Sequence, residues 1–324
     1  MKLNTEIQQL LRCPLCKKRI ELSGQLFRCV NHECGTCFPI IEDIPILLDE
    51  NSSLFSIADF VSGRQTFFKF SPENKIKKAL KRLIPSIDSS IKSKHNYDKF
   101  SKFLLTRSNN PTVLVLGGSI LGQGMKALFS YYNIQLIESD ISFGPRTMLI
   151  CDAHSIPFED NSFDGVIAQA VLEHTVDPYQ CVREIYRVLK IGGFVYAETP
   201  FMQQVHGGAY DFTRFTHLGH RRLFRKFEEI DSGAVCGPGM ALAWSYRYFL
   251  LSFAKSKILR TLIRIFSSLT SFYLKYFDYF LIDKPGTFDA ASGYYFMGKK
   301  SNQILSDKEL IKLYRGKISI GYSS

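Results

Sequence analysis

Short apolar runs separated by turn-rich polar patches recur through the middle of this 324-residue chain. Residues 113–116, 134–137, 148–150, 163–168 and 194–197 each read as a buried strand, being mostly apolar rather than alternating. Between the last two runs, Asp177-Pro178 opens a stretch with Val182, Ile185, Val188 and Leu189 at helical spacing. Asp caps such a helix, Pro suits its first turn, and Gly192-Gly193 ends it. Residues 292–297 return as a final strand. Strands alternating with helices predict an α/β domain built on an open parallel sheet, whose ligands sit outside the carboxyl ends of the strands.

Those ends carry chemistry. The first run leads into Gly117-Gly118-Ser119, with Gly122 and Gly124 beyond, a turn into a helix where the backbone approaches a ligand closely. The second ends at Asp140, about 20 residues on, where an acidic residue grips ribose hydroxyls in nucleotide-binding folds. The third delivers Asp152, and the order Asp152-Ala153-His154…Pro157-Phe158…Asp160…Ser162-Phe163-Asp164 then Leu172-Glu173-His174 resembles the class I S-adenosylmethionine-dependent methyltransferases of type 11. The string Glu184-Ile-Tyr-Arg-Val-Leu-Lys-Ile-Gly-Gly193 fits the same pattern. The resemblance implies a Rossmann-like seven-stranded sheet with an antiparallel last strand. It also implies cofactor contacts at Gly117, Gly118, Ser119, Asp140, Asp152, Ala153, His154, Gln169 and Ala170, with Glu173-His174 beside the methionine part. Two positions depart from the pattern: Val115 stands where an acid is common, and Ser119 where a second loop glycine is.

Five of the eight cysteines lie between Cys13 and Cys37. Cys13-Pro-Leu-Cys16 is one metal knuckle, and a tetrahedral zinc needs two further soft ligands. The segment resembles the Trm112-like zinc ribbons, through Cys-Pro-x-Cys and the tail Phe38-Pro-Ile…Ile44-Pro-Ile-Leu47. That pattern implies Cys29 and Cys34 as the other ligands, with Cys37 and His32 as rivals, and a structural Zn2+. Residues 1–50 are thus expected as a ribbon, 51–104 as a basic, partly helical linker, 105–300 as the methyltransferase domain and 301–324 as a tail. Ser71-Pro72 reads as the start of a basic helix that Pro85 ends.

The stretch after the fifth run, from Glu198 to Phe224, overhangs the strand ends. It resembles a methyltransferase subgroup associated with glycan and cell-surface biosynthesis. His206 is the expected general base, Asp211 its orienting partner, and Arg214 a clamp for an acidic substrate. A plain Asp211–Arg214 pair pinning a lid is the competing reading.

A net charge of +11 favours an acidic partner, such as anionic lipid, a charged glycan or RNA. Residues 240–283 mix basic and aromatic positions and are expected as a helical insertion, capping the substrate or lying on a membrane face. Met1 to Arg12 carries no export signal, so a cytoplasmic location, peripheral to the inner face of the membrane, is expected. The expected activity is methyl transfer from S-adenosylmethionine to an O or N atom of a small-molecule or glycan acceptor. An rRNA methyltransferase with a zinc ribbon and a non-catalytic binding module are the alternatives.

Overall fold

The computed structural model describes residues 2–63 and 83–317, so most of the basic helix expected to start at Ser71 lies outside the described residues. Seven strands form the main sheet: β5 (Thr112–Leu116), β6 (Gln135–Asp140), β7 (Leu149–Cys151), β8 (Phe163–Gln169), β9 (Leu189–Pro200), β10 (Phe227–Cys236) and β11 (Gly293–Lys300). Their order is β7-β6-β5-β8-β9-β11-β10. β5 pairs parallel with β6 on one side and β8 on the other, while β11 lies antiparallel between β9 and β10. This is the mixed α/β methyltransferase sheet that the sequence predicts.

Helix α4 (Pro178–Val188) follows its expected chemistry. The Asp177 side chain accepts from the Gln180 amide, Pro178 occupies the first turn, and Val182, Ile185 and Val188 are buried. The chain then enters β9 at Leu189 directly, so the Gly192-Gly193 pair lies inside a strand rather than at a helix end. The helix expected after the glycine turn is also absent. Only a 3₁₀ segment, Met125–Ser130, forms there, because Gly124 at φ +79° interrupts the run and few residues remain before β6.

Two further differences concern the flanks. The ribbon contributes β1 (Ile20–Ser23), β2 (Leu26–Cys29), β3 (Cys37–Ile41) and β4 (Ile44–Leu47), and β4 pairs parallel with β7 through Ile46 and Leu47. It therefore extends the main sheet instead of standing apart. The expected linker ends in helix α3 (Ser93–Leu105), whose Tyr97, Phe100 and Leu104 are wholly buried with Val113, Ile167 and Tyr196. A Cβ at Gly165 of β8 would come within 2.8 Å of Leu104, so the glycine permits that close packing. Residues 93–105 belong to the core.

After β10 the chain builds α6 (Pro238–Leu251), α7 (Lys257–Ser271) and α8 (Leu274–Leu281). The buried Asp278 of α8 accepts from the Gly239 and Met240 amides at 2.6 and 2.9 Å and thereby caps α6. Among the described residues, no helix is long and apolar enough to cross a membrane.

Helix α5 (His217–Leu223) buries two histidines against aromatic rings, His217 by Phe288 and Tyr294, and His220 by Phe215 and Phe224. Burial holds His217 down to about 4 and His220 to about 3. On unfolding both regain an ordinary value of roughly 6.5, so the unfolded chain binds more protons at any pH between the two values. Their contribution to stability is full above that ordinary value and is lost as pH falls towards the folded values. Thermal unfolding should show this decline between roughly pH 6.5 and 4, and His220→Phe should flatten it; an unchanged slope would remove His220 from the account.

Candidate functional site

Winding reverses between β5 and β8, since β5 connects to β6 on one side and β8 connects through α4 to β9 on the other. A crevice opens at such a point. A cavity of about 430 Å³ occupies it, walled by strand ends from Leu116, Asp140, Asp152, Gln169 and Glu198 to Pro200. Leu54, Phe55 and Ser90, from the expected linker, close part of it, as do Val171, His174, His206 and Tyr210. Of the residues expected to hold a cofactor, Gly117, Ser119, Asp140, Asp152, Ala153, His154, Gln169 and Ala170 line this cavity, and Gly118 does not.

Gly117 turns with φ +71°, and a Cβ there would stand 2.5 Å from Val171 Cγ2. Only glycine keeps that cradle open. Gly118 instead packs beneath it, where a Cβ would meet Glu138 and Val115. Val115 is itself core, 2 % exposed, which gives the departure from an acid at this position an apolar packing role. The loop is tied to β6 by Asp140: one carboxylate oxygen accepts from the Ser119 amide at 2.9 Å, the other from the Ser142 amide at 3.0 Å. Burial raises the Asp140 carboxyl above its usual range despite those bonds. Each oxygen retains a second lone pair for a ligand hydroxyl.

Asp152 sits at the end of β7 between two partners. The Ser53 hydroxyl donates to Oδ2 at 2.7 Å, and Oδ1 faces the His154 amide at 3.0 Å and Nδ1 at 2.6 Å. Burial pushes the Asp152 carboxyl up, but the hydrogen bonds from His154 and Ser53 outweigh it and hold the group below its usual value. His154 Nε2 accepts from the Asp177 amide at 3.1 Å, locking the ring in place. Thus Asp152 is ionised, rigid and at the cavity wall, which suits an acceptor for an adenine amino group.

The overhanging segment resolves differently for each expected residue. Arg214 spends its guanidinium on Asp211, with Nη2–Oδ2 at 3.0 Å, and on the carbonyls of Gln203, Thr213 and Gln204. Asp211 accepts in addition from the His206 and Gly207 amides at 2.7 and 3.1 Å. Neither side chain lines the cavity, and together they pin residues 203–214. His206 does line it. Its Nδ1 is 3.3 Å from the Gln204 carbonyl and 3.6 Å from Asp211, and its Nε2 is 3.8 Å from Glu173. The insertion braces this segment from behind, with Tyr248 donating to the Val205 carbonyl at 2.9 Å and Gln204 to Ser245 at 3.1 Å. No residue of α6, α7 or α8 reaches the cavity wall.

Glu173 carries a signal that sequence spacing did not reveal. It is wholly buried, neither carboxylate oxygen has a hydrogen-bond partner among the described residues, and burial pushes it up to about 8. In sequence it is one letter of Leu-Glu-His; its isolation is a property of packing.

The four expected ribbon cysteines converge. The sulfurs of Cys13, Cys16, Cys29 and Cys34 lie within 4.8 Å of one another, with Cys13–Cys34 at 3.7 Å and Cys16–Cys29 at 3.4 Å. Thiolates about 2.3 Å from a tetrahedral zinc stand roughly 3.8 Å apart, so the set fits that ion. Gly35, at φ +57°, turns the chain after Cys34, and Cys37 begins β3 outside the cluster, as His32 does before it. The knuckle also grips the loop after Asp152. The Ser155 hydroxyl donates to the Pro14 carbonyl and accepts from Lys17 Nζ, both at 2.7 Å, and Lys17 pairs with Glu184 at 3.1 Å. The Arg12 amide donates to the Pro157 carbonyl at 2.9 Å.

Removing metal from the cysteines should therefore loosen residues 152–158 as well as the ribbon. Hydrogen exchange after chelation, or in Cys34→Ser, is expected to show faster exchange at both places. Change confined to residues 13–37 would mean that ribbon and cavity wall are independent.

Residues 118–197 match the family model described as a methyltransferase domain. The ubiquinone/menaquinone biosynthesis C-methyltransferase UbiE of Stenotrophomonas maltophilia is 49% identical over 79 residues, 24% of this chain and 31% of that protein. Cycloartenol-C-24-methyltransferase 1 of Oryza sativa is 51% identical over 41 residues, 13% of this chain and 12% of that protein. The chain thus spans less than a third of the length of these relatives. A structure of Haemonchus contortus phosphoethanolamine N-methyltransferase 2 with S-adenosyl-L-methionine matches with a TM-score of 0.39 and 18% identity, over 63% of this chain and 52% of that one. The stretch from the glycine turn to the fifth strand of the sheet, with Asp140, Asp152 and Glu173 inside it, is similar to the methyltransferase domain family.

Proposed function

We propose that this chain is an S-adenosylmethionine-dependent methyltransferase with a structural zinc ribbon. One observation carries the reading: a glycine cradle and two carboxylates, Asp140 and Asp152, meet at the reversal point of a methyltransferase sheet and line one cavity. When bound, S-adenosylmethionine supplies a methyl group already activated by its sulfonium. Gly117 and the Ser119 backbone would cradle it, Asp140 would hold ribose hydroxyls, and Asp152 the adenine amino group. An acceptor lone pair then forms the bond to the methyl carbon while the carbon–sulfur bond breaks onto sulfur, and the acceptor's proton leaves. The protein's task is alignment and exclusion of water. The pinned 203–214 segment, braced by α6, serves both. The acceptor's proton is lost at the Glu173–His174–His206 side of the cavity, where ionisable groups face the space left beside the cofactor.

The acceptor has an apolar body. Leu54, Phe55, Ile120, Val176 and Val235 supply much of the wall, and the Arg214 clamp once expected for an acidic glycan is spent on Asp211. A lipid surface is the proposed partner. Helix α7 is turned inside out for a soluble protein: Ser267, Ser268 and Ser271 are its buried residues, while Ile258, Leu262, Phe266 and Leu269 are 54–75 % exposed. The same insertion carries Lys255, Lys257, Arg260 and Arg264, and Tyr276, Phe277, Tyr279 and Phe280 of α8 are exposed as well. An exposed apolar stripe on a cationic insertion is suited to an anionic bilayer interface.

Calorimetric titration with S-adenosylmethionine should give one equivalent per chain, weakened about 10- to 100-fold by Asp140→Ala or Asp152→Ala, as expected for lost hydrogen bonds to charged groups. A folded, cofactor-free chain that binds none would favour the non-catalytic module. Sedimentation with vesicles containing anionic phospholipid should carry the wild-type chain and leave Leu262→Ser/Phe266→Ser/Leu269→Ser in solution. Equal behaviour would remove lipid as the partner.

A further inference from the structure

We infer that Glu173, His174 and His206 form a binding site for one divalent transition-metal ion, opening onto the cavity where the acceptor is received. The inference rests on the methyltransferase reading and deepens its acceptor side.

A carboxylate side chain taken wholly out of water is normally met by hydrogen bonds or an opposite charge. Among the described residues, neither oxygen of Glu173 is hydrogen-bonded. The nearby guanidinium of Arg214 is turned to Asp211 and to three carbonyls, so it leaves Glu173 without a direct partner. What Glu173 does face is two imidazoles. His174 Nε2 and His206 Nε2 each stand 3.8 Å from Glu173 Oε1, and one ligand atom of each residue lies within 4.8 Å of the others. Ligands around a tetrahedral ion at about 2.1 Å stand roughly 3.4 Å apart. A small side-chain closure brings the three to that spacing.

The outward nitrogens carry the second mark of a ligand pair. His174 Nδ1 lies 2.8 Å from the Tyr210 carbonyl, and His206 Nδ1 lies 3.3 Å from the Gln204 carbonyl. A metal-binding histidine characteristically donates its far N–H to a carbonyl or carboxylate, which fixes the tautomer whose Nε2 lone pair can coordinate. Both rings have Nδ1 so placed, with Nε2 towards Glu173. The rings stand 5.0 Å apart at 81°, with Trp244 against His206 at 6.2 Å.

Two imidazoles and one carboxylate form a donor set for zinc, iron, cobalt or manganese that leaves coordination positions for water or substrate. All three residues line the cavity, so those positions open where the acceptor arrives. An acceptor hydroxyl or enol oxygen bound there would lose its proton to water at a lowered pKa, which supplies the nucleophile without an imidazole base.

The test is Co2+ added to the full chain with zinc already on its four cysteines, followed by visible absorption. One equivalent is expected with d–d bands and no thiolate-to-cobalt charge transfer. Glu173→Gln should weaken binding at least about 10-fold, the scale even of indirect ligand changes, and His206→Ala, at the rim, should do the same. S-adenosylmethionine titration of each variant runs in parallel. No cobalt bound by the wild-type chain, a charge-transfer band showing cobalt only on cysteine, or wild-type affinity in both variants would overturn the site. Cofactor binding with no metal overturns this inference alone; metal binding with no cofactor overturns the methyltransferase reading and keeps the metal site.

Discussion

Everything at this site depends on the pairing of β5 with β6 on one face and β8 on the other. The connections that leave β5 and β8 at their carboxyl ends run in opposite directions, to β6 and to β9, and their loops leave a gap between them. Gly117 lies at that end, Asp140 one strand over and Asp152 two strands over. Because the three are fixed by strand ends rather than by flexible loops, their separation is set by backbone hydrogen bonds. Asp140 adds a tie of its own by accepting from the Ser119 amide, so cradle and acid are positioned together.

The ribbon has a clear physical place in this scheme. Fifty residues bury little apolar surface alone, and a tetrahedral metal supplies folding energy that such a core lacks. Yet this ribbon is also spliced to the sheet through β4 and β7, and its knuckle holds Ser155 and Pro157. A metal on the four cysteines would thus stabilise the same wall of the cavity that the sheet holds from its other side. Ser53, just beyond β4, reaches Asp152 directly, so chain leaving the ribbon becomes part of the site.

The insertion works at a distance from the chemistry. Asp278 caps α6, α6 braces the 203–206 stretch, and the Asp211–Arg214 pair pins the rest. A rigid segment over a cavity excludes water and holds His206 against Glu173. Among the described residues, nothing buries the outward apolar face of α7.

Much of this was legible in the sequence because it depends on near neighbours along the chain. Apolar runs gave the strands, Asp177-Pro178 gave the start of α4, and Cys13-Pro-Leu-Cys16 with Cys29 and Cys34 gave the four-cysteine cluster. The glycine turn and the acids at Asp140 and Asp152 were placed by the strands they terminate. Local signals misled where a strand or short turn overrode them, as at Gly192-Gly193 inside β9 and at the 3₁₀ segment after Gly124. Residues 93–105 read as linker because their charged face masks Tyr97, Phe100 and Leu104, and only docking on Gly165 makes them core. The commitment of Arg214 to Asp211, the seat of the ribbon on the sheet edge, the outward face of α7 and the isolation of Glu173 were decided by tertiary structure alone. Each depends on which groups from distant segments do or do not come within bonding distance, and a partner's absence leaves no mark in the sequence around a residue.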